Sequence, residues 1–317
     1  MSLPTIYIAG HTGLIGSAAL RRFAADANYR VLTASHGALD LQDAATVQRF
    51  FDSHAPDYVI LAAGKVGGIL ENRTYPADFI SSNLAIQLNV LAAAHRTGVK
   101  KLLLFASSCM YPRECPQPMK EDRLFSGLPE PTSMAYAVSK MAGLQLCLAY
   151  NQQYGHNRFI PLIPNSVYGP NDNFDPDKGH VLSALIRRFH DAKVKAADRV
   201  LLWGSGRPRR EFIHADDVAE CCAHLIAQDT SGLELPLNVG SGHDLAIRDL
   251  AELVATAVDY RGEIAWDPAK PDGAPRKLLD SSRLRSTGWS AGIALQTGVA
   301  ETYAWYRKNV KTAEAAV

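Results

Sequence analysis

Three short stretches carry residue types that can do chemistry together. Gly10-His11-Thr12-Gly13-Leu14-Ile15-Gly16 follows an apolar run and precedes a helical pattern. Glycines at this spacing allow a tight turn and close backbone approach, and the helix start offers amide N–H groups to a pyrophosphate. The spacing is G-x-x-G-x-x-G, and it is the placement after the first strand of a βαβ unit that separates it from an ordinary glycine turn. A second stretch, Ala106-Ser107-Ser108-Cys109-Met110-Tyr111-Pro112, places polar groups where a strand should end. Tyr136-Ala137-Val138-Ser139-Lys140 is the third. Tyr and Lys four apart share one helix face. An ammonium beside a phenol is expected to lower the phenol's pKa and make it a usable acid or base, and Lys140 is expected to reach a nicotinamide ribose as well. Alone, the Tyr–Lys spacing fits any amphipathic helix. In this order and spacing, the three stretches together point to an oxidoreductase with a dinucleotide cofactor.

The elements that must position them follow a β-α-β-α rhythm. Buried strands are expected at 5–9, 29–33, 58–62, 102–106 and 159–163, and helices near 15–25, 44–53, 84–97 and 136–154. Strands with so little polar alternation belong to a parallel sheet covered on both faces. The fold class is α/β, a doubly wound parallel (Rossmann) sheet with a second, smaller α/β domain. We expect a nucleotide-binding domain over 1–165, with pieces near 211–228 and 236–242 returning to it, and a substrate domain over 166–317. The stretch 168–180 reads as a loop, 181–193 as a basic helix, and 200–202, 211–214, 237–239 and 263–266 as strands; the tail 311–317 reads as frayed.

Composition narrows the classes. The chain has 317 residues, 33 Lys and Arg against 32 Asp and Glu, and 47% hydrophobic residues. Such near-neutrality gives no general pull on nucleic acid or anionic lipid, so phosphate recognition must be local. An apolar run of about 18 residues, the mark of a membrane span, does not occur. Five cysteines in no zinc spacing, with no export signal, read as reduced thiols in cytoplasm; Cys221-Cys222 reads as core. The second strand ends Thr33-Ala34-Ser35-His36, without the acid that would bond an NAD ribose. NADP(H) is therefore the expected cofactor, with Ser35 and His36 as modest partners for its 2′-phosphate.

The glycine loop, the Ser-Ser strand end and the Tyr–Lys pair resemble the extended branch of the short-chain dehydrogenase/reductases. Within it, Ala63-Gly64-Lys65-Val66-Gly67-Gly68-Ile69, Asn72-Arg73-Thr74-Tyr75-Pro76-Ala77-Asp78-Phe79 and Ser107-Ser108-Cys109-Met110-Tyr111-Pro112 resemble the GDP-L-fucose synthase family. So do Tyr168-Gly169-Pro170-Asn171-Asp172-Asn173-Phe174, Trp203-Gly204-Ser205-Gly206, Arg210-Glu211-Phe212 and Lys270-Pro271-Asp272-Gly273. The resemblance implies an NADPH-dependent epimerase and reductase that inverts C3 and C5 of GDP-4-keto-6-deoxy-D-mannose and then reduces its C4 ketone. It gives Cys109 and His180 the roles of base and acid, whose ordinary pKa values of about 8.5 and 6.5 suit proton exchange. Tyr136 would protonate the C4 oxygen, with Ser107 bonded to the same atom. Cofactor contacts are implied for Gly10, Thr12, Gly13, Leu14, Ile15, Gly16, Ser35, His36, Asp40, Leu41, Ala62, Ala63, Lys140, Pro164, Val167 and His180. Sugar-nucleotide contacts are implied for Ser108, Ser133, Ser166, Arg188, Trp203, Arg210, Asp272 and Lys277. Arg187 and Arg209 read equally as solvated charges.

Ser133 and Ser166 stand where the family carries asparagine, and serine has shorter reach and fewer donors. A related GDP-4-keto sugar, a dideoxyhexose or a heptose, is thus the alternative substrate; a non-reducing epimerase is a further one. Leu88, Leu91, Met141, Leu144 and Leu148 are expected to face a partner as well as the core, implying a homodimer.

Overall fold

The computed structural model describes residues 3–270 and 272–310. The first half alternates β1 (Thr5–Ala9), α1 (Leu14–Ala24), β2 (Arg30–Leu32), α2 (Ala44–His54), β3 (Tyr58–Leu61), α3 (Ile69–Thr74), α4 (Pro76–Arg96), β4 (Lys101–Phe105), α5 (Met134–Tyr154) and β5 (Phe159–Pro164). There follow β6 (Ser166–Tyr168), α6 (Val181–Val194), β7 (Arg199–Trp203), β8 (Arg209–His214), α7 (Ala215–Ala227), β9 (Leu237–Val239), β10 (Asp244–Ala246), α8 (Ile247–Val258), β11 (Glu263–Asp267), β12 (Arg276–Lys277), α9 (Ser282–Arg285) and α10 (Leu295–Asn309).

Six parallel strands form the main sheet in the order β2-β1-β3-β4-β5-β9. Helices cover both faces, α1 and α7 on one and α2, α4 and α5 on the other. That two-sided cover is why the inner strands are almost wholly apolar and buried. The sheet reverses its order at β1 and β3, so the ends of these strands open a crevice for a ligand.

Local chemistry sets several element ends. Asp43 caps α2 by accepting from the N–H groups of Ala45 and Thr46. Pro76 opens α4, where a missing N–H costs nothing, so this helix begins eight residues before the sequence pattern places it. Gly155, in the left-handed region, closes α5. The run 29–33 is not a fully buried strand as expected. β2 spans only Arg30–Leu32, is exposed to half-buried, and pairs on one side with β1, as an edge strand must.

A second apolar cluster packs α6, α8 and α10 together around Phe189, Val254, Val299 and Tyr306. β8 pairs with β6, β10 and β12, and β7 pairs with β11 in a separate two-stranded ribbon. Tyr168, expected at the start of a loop, ends strand β6. Cys221 and Cys222 are buried beneath the sheet, and the five cysteines are free thiols. The tail 311–317 lies outside the described residues. Among the described residues no helix is long and apolar enough to cross a membrane.

Candidate active site

A cleft of about 570 Å³ lies at the carboxyl ends of the first strands. Gly10, Thr12, Gly13, Ser35, His36, Asp40, Leu41, Ala62 and Ala63 line it, all expected from the sequence. His11, Gln42, Gly64, Lys65 and Ser82 line it too and were not expected; Gly64 and Lys65 belong to the stretch quoted for the family resemblance, which was the available signal. The three glycines differ in what demands them. Gly10 has φ +83°, and a Cβ there would lie 2.7 Å from the Ala63 nitrogen. A Cβ on Gly16 would clash with the Gly10 carbonyl. At Gly13 a Cβ would meet only the Gly10 oxygen at an ordinary 3.5 Å. The protein itself therefore has room for a side chain at Gly13, and it is the space beyond, in the cleft, that a side chain would take. Gly13 is also the N-cap of α1, with no side-chain cap and no acid in the first turn. Bare helix N–H groups facing a cleft suit a pyrophosphate, so these residues fit a dinucleotide. Leu14, Ile15 and Gly16 form the helix start behind the lining, and Lys140, Pro164, Val167 and His180 lie outside it.

After β4 the chain enters a short 3₁₀ turn, Ser108–Met110, capped by the Ser107 hydroxyl, which accepts from the Cys109 N–H at 3.2 Å. Tyr136 sits in the first turn of α5 and is nine-tenths buried. Its acidity runs opposite to the sequence expectation. Burial, and secondarily the neighbouring Cys109 thiol, push the Tyr136 pKa up, while a hydrogen bond with Ser107 pulls it partly back. The reason is geometric. The Lys140 ammonium lies over the ring face, 5.8 Å from its centroid, and donates to the Phe105 carbonyl at 2.9 Å. Burial in turn lowers the Lys140 pKa to about 8. Tyr136 accordingly keeps its proton at neutral pH and is built as a donor.

His180 ends the 169–180 turn and occupies the N-cap position of α6. Its ring is about half exposed (54%). Nδ1 lies 3.6 Å from Oδ1 of Asp172, and the nearby carboxylate, against some burial, raises the His180 pKa. This turn borders α5 through the glycine stretch before α3. A Cβ on Gly68 would lie 3.2 Å from the Lys178 carbonyl, one on Gly67 would lie 3.0 Å from the Phe79 ring, and Phe79 meets Tyr136 edge to face at 6.2 Å.

Beside Cys109 a smaller cleft is lined by Ser108, Arg113, Gln117, Glu130, Arg276 and Lys277. The structure thus brings Ser108, Cys109 and Lys277 together, as expected. Beneath this cleft runs a buried polar chain that sequence reasoning missed. The Ser108 hydroxyl donates to Asn165 Oδ1 at 3.1 Å, and Asn165 Nδ2 donates to Glu211 Oε2 at 2.9 Å and to the Lys277 carbonyl at 3.2 Å. Glu211 is fully buried and also accepts from the N–H groups of Gly242 and Leu279. Burial raises its pKa, and these donors pull it down. Asn165 falls just past the strand expected at 159–163, and Glu211 falls in the strand expected at 211–214; the Arg210-Glu211-Phe212 stretch quoted for the family resemblance was the available signal for Glu211.

The remaining expected residues are spread over the second body. Arg210, half-buried on β8, donates to the carbonyls of Arg209 and Ala274. Asp272 accepts from the N–H and hydroxyl of Ser205, closing the Trp203-Gly204-Ser205-Gly206 turn against the loop that leads into β12. Trp203 is 66% exposed, with the Lys270 ammonium 5.3 Å from its ring centroid. Arg188 on α6 holds the Pro176 carbonyl and Asp177. Arg187 pairs with Asp191 and Arg209 with Asp244, so both serve local ion pairs. Ser133 and Ser166 are half-buried at the start of α5 and on β6.

Residues 6–240 match the family described as NAD dependent epimerase/dehydratase. The chain is 50% identical to GDP-L-fucose synthase 1 of Arabidopsis thaliana, over 96% of this chain and 94% of that protein. It is 45% identical to GDP-L-fucose synthase of Escherichia coli over 98% of each. Among solved structures it superposes with a TM-score of 0.88 on MlghC, a GDP-mannoheptose C4 reductase from Campylobacter jejuni with NADP bound, at 34% identity over 97% of this chain and 99% of that one.

Proposed function

The chain belongs to the NAD dependent epimerase/dehydratase family, and from that premise we propose that it is a GDP-L-fucose synthase: an NADP(H)-dependent enzyme that converts GDP-4-keto-6-deoxy-D-mannose to GDP-L-fucose. The observation that carries this reading is that the Ser108–Met110 turn, which holds Cys109 and is capped by Ser107, packs on α5, whose first turn holds the buried Tyr136. A phenol beside a thiol suits a ketone whose flanking hydrogens are exchanged before it is reduced. The match to fucose synthases at 45–50% identity, against 34% for the heptose reductase, supports the 6-deoxyhexose over the heptose.

Each residue then has a task. Ser107 and Tyr136 bond the C4 oxygen and stabilise the enolate that forms when a hydrogen on C3 or C5 leaves as a proton. Cys109 takes that proton from one face and His180 returns one to the other, inverting the carbon. Bound NADPH supplies a hydride to C4. Tyr136, which burial keeps protonated, gives its proton to the resulting alkoxide, a stronger base than the phenolate it leaves. Lys140 holds the strand end through Phe105 and lies beside Gly64 on the cofactor cleft, where a ribose hydroxyl is within its reach. Gly10, Thr12, Gly13 and the α1 N–H groups would hold the pyrophosphate, and Ser35 and His36 the adenosine 2′-phosphate. Lys277, Arg210 and Arg188 supply positive charge toward the GDP diphosphate, with Trp203 as an exposed flat surface for its base.

We assign the cofactor to 1–165 with the returning α7 and β9 segments, and the sugar nucleotide to 166–317. Leu91 and Leu144 are core residues, but Leu84 and Leu88, one turn apart on α4, and Val138 on α5 are exposed, and α4 packs on α5. They support a homodimer, for which light scattering should return the mass of two chains; a one-chain mass at micromolar concentration would refute it.

The central test is Cys109→Ser. With NADPH binding intact, solvent deuterium incorporation at C3 or C5 of the keto sugar should fall about 10²-fold or more. Unchanged exchange would remove Cys109 from the reaction. The product made by the unaltered enzyme, identified by NMR, checks the sugar.

A further inference from the structure

We infer that Asp172 is a positioning residue that holds His180 as the proton donor of the epimerisation. This rests on the reading of His180 given above and deepens it.

The carboxylate is placed for one purpose. Asp172 lies in a turn rich in Asn, Asp and Gly, yet its side chain is only 4% exposed. Two donors fix it, the Asn173 N–H at 2.8 Å and the Ser183 hydroxyl from the first turn of α6. The Asp172 N–H closes the turn onto the Gly169 carbonyl. Gly179 then packs so tightly on the Asn173 carbonyl that a Cβ there would clash, and this folds the chain back so that His180 faces Asp172. His180 and Ser183 both belong to the start of α6, so the ring and the clamp on the carboxylate are carried by one rigid element. The 3.6 Å approach of the carboxylate to Nδ1 favours a proton on that nitrogen, and Nε2 makes no bond among the described residues. The raised His180 pKa agrees with this geometry.

The other charges nearby are committed elsewhere. Asp175 accepts from the N–H groups of Asp177 and Lys178 within its own turn. Asp177 pairs with Arg188 of α6, and no charged group other than Asp172 bears on the ring among the described residues. Asp172 is thus the charge that acts on the ring. The proton balance follows. The imidazolium gives the Nε2 proton to the sugar carbon, the electron pair returns from the C4 oxygen to that carbon, and the neutral ring regains a proton from water at its exposed edge.

Asp172→Asn tests this, because the amide keeps the shape and one acceptor oxygen for the Asn173 N–H, its NH2 can donate to the Ser183 hydroxyl oxygen, and the charge is removed. In the NADP-bound enzyme, NMR of labelled histidine should show the His180 pKa falling by about one unit. Solvent deuterium incorporation into the keto sugar should drop about ten-fold at pH 8 and recover to within about two-fold at pH 6, because the variant ring is protonated only at the lower pH. Oxidation of GDP-L-fucose by NADP⁺, which needs hydride transfer and no epimerisation, should change less than about two-fold, and Asp172→Glu should restore part of the exchange. An unmoved His180 pKa, or an exchange defect equal at every pH, would overturn the inference while leaving His180 in place. Normal exchange in His180→Gln would instead remove the underlying role of His180.

Discussion

The glycine loop and the wall around Cys109 are made by different means. Gly10, Gly13 and Gly16 belong to one strand–turn–helix unit, and what they offer is backbone: open space and N–H groups at the start of α1. The wall around Cys109 is assembled from the ends of β4 and β5, from β8 and from β12, and it is tied together by side chains. Ser108 reaches Asn165, Asn165 reaches Glu211 and the Lys277 backbone, and Glu211 reaches Gly242 and Leu279. A backbone cradle serves any dinucleotide, whereas a wall of buried polar side chains holds its groups in one arrangement. Each buried member without its partner would cost about 1–3 kcal/mol. The difference teaches where the enzyme has freedom: the cradle varies little without losing the fold, and the wall varies at its surface while its buried frame stays satisfied.

The largest effect that tests this contrast lies inside the cradle. Gly16→Ala drives a methyl group into the Gly10 carbonyl, a backbone atom that cannot move without disturbing β1. A loss of about 3 kcal/mol is expected, the upper range for overpacking, read as a fall in Tm of about 6–10 °C. Gly13→Ala meets only ordinary contact. It should keep the Tm within about 2 °C and weaken NADPH binding about ten-fold, because its methyl group takes the ligand's space. If both variants melt alike, or Gly13→Ala binds NADPH normally, the division between fold-required and ligand-required glycine is wrong.

The same division explains what could be read from the amino-acid order. The alternation of apolar runs and helical patterns was enough for the sheet, its cover and the cofactor cleft, because each is specified by neighbours along the chain. Tyr136, Lys140 and Ser107 stood out as candidates by type and spacing, and Cys109 through the family resemblance. The acidity of Tyr136 was not, because it depends on how deeply the ring is enclosed and on which face the ammonium lies. Asn165, Glu211 and Asp172 were unreadable for a related reason. Their partners are fixed only when separate strands and turns meet, and a buried Glu in a strand gives no local sign of what it bonds. The 29–33 run failed from the other side, since pattern alone does not say which strand lies at an edge.

The smallest effect bears on the outer layer of the Cys109 wall. Ser166 is half-buried on β6, beside the Asn165 that frames the wall, and it pairs in register with Phe212, next to Glu211. Its hydroxyl stands where the resembled family carries an amide, so the frame below it is intact while the group above it is shorter. Ser166→Asn adds a donor and an acceptor and about one bond of reach. Because the change is at the surface of the wall, stability should shift by no more than about 0.5 kcal/mol. One hydrogen bond gained or lost at the sugar corresponds to about 1 kcal/mol, so the ratio of kcat/KM between GDP-4-keto-6-deoxymannose and a GDP-4-keto heptose should move about three- to ten-fold, toward the 6-deoxy sugar. A ratio that does not move would mean that Ser166 does not touch the hexose. A movement toward the heptose would mean that the short serine is what selects the 6-deoxy sugar, and Ser166 would then cease to be a reason for the alternative substrate.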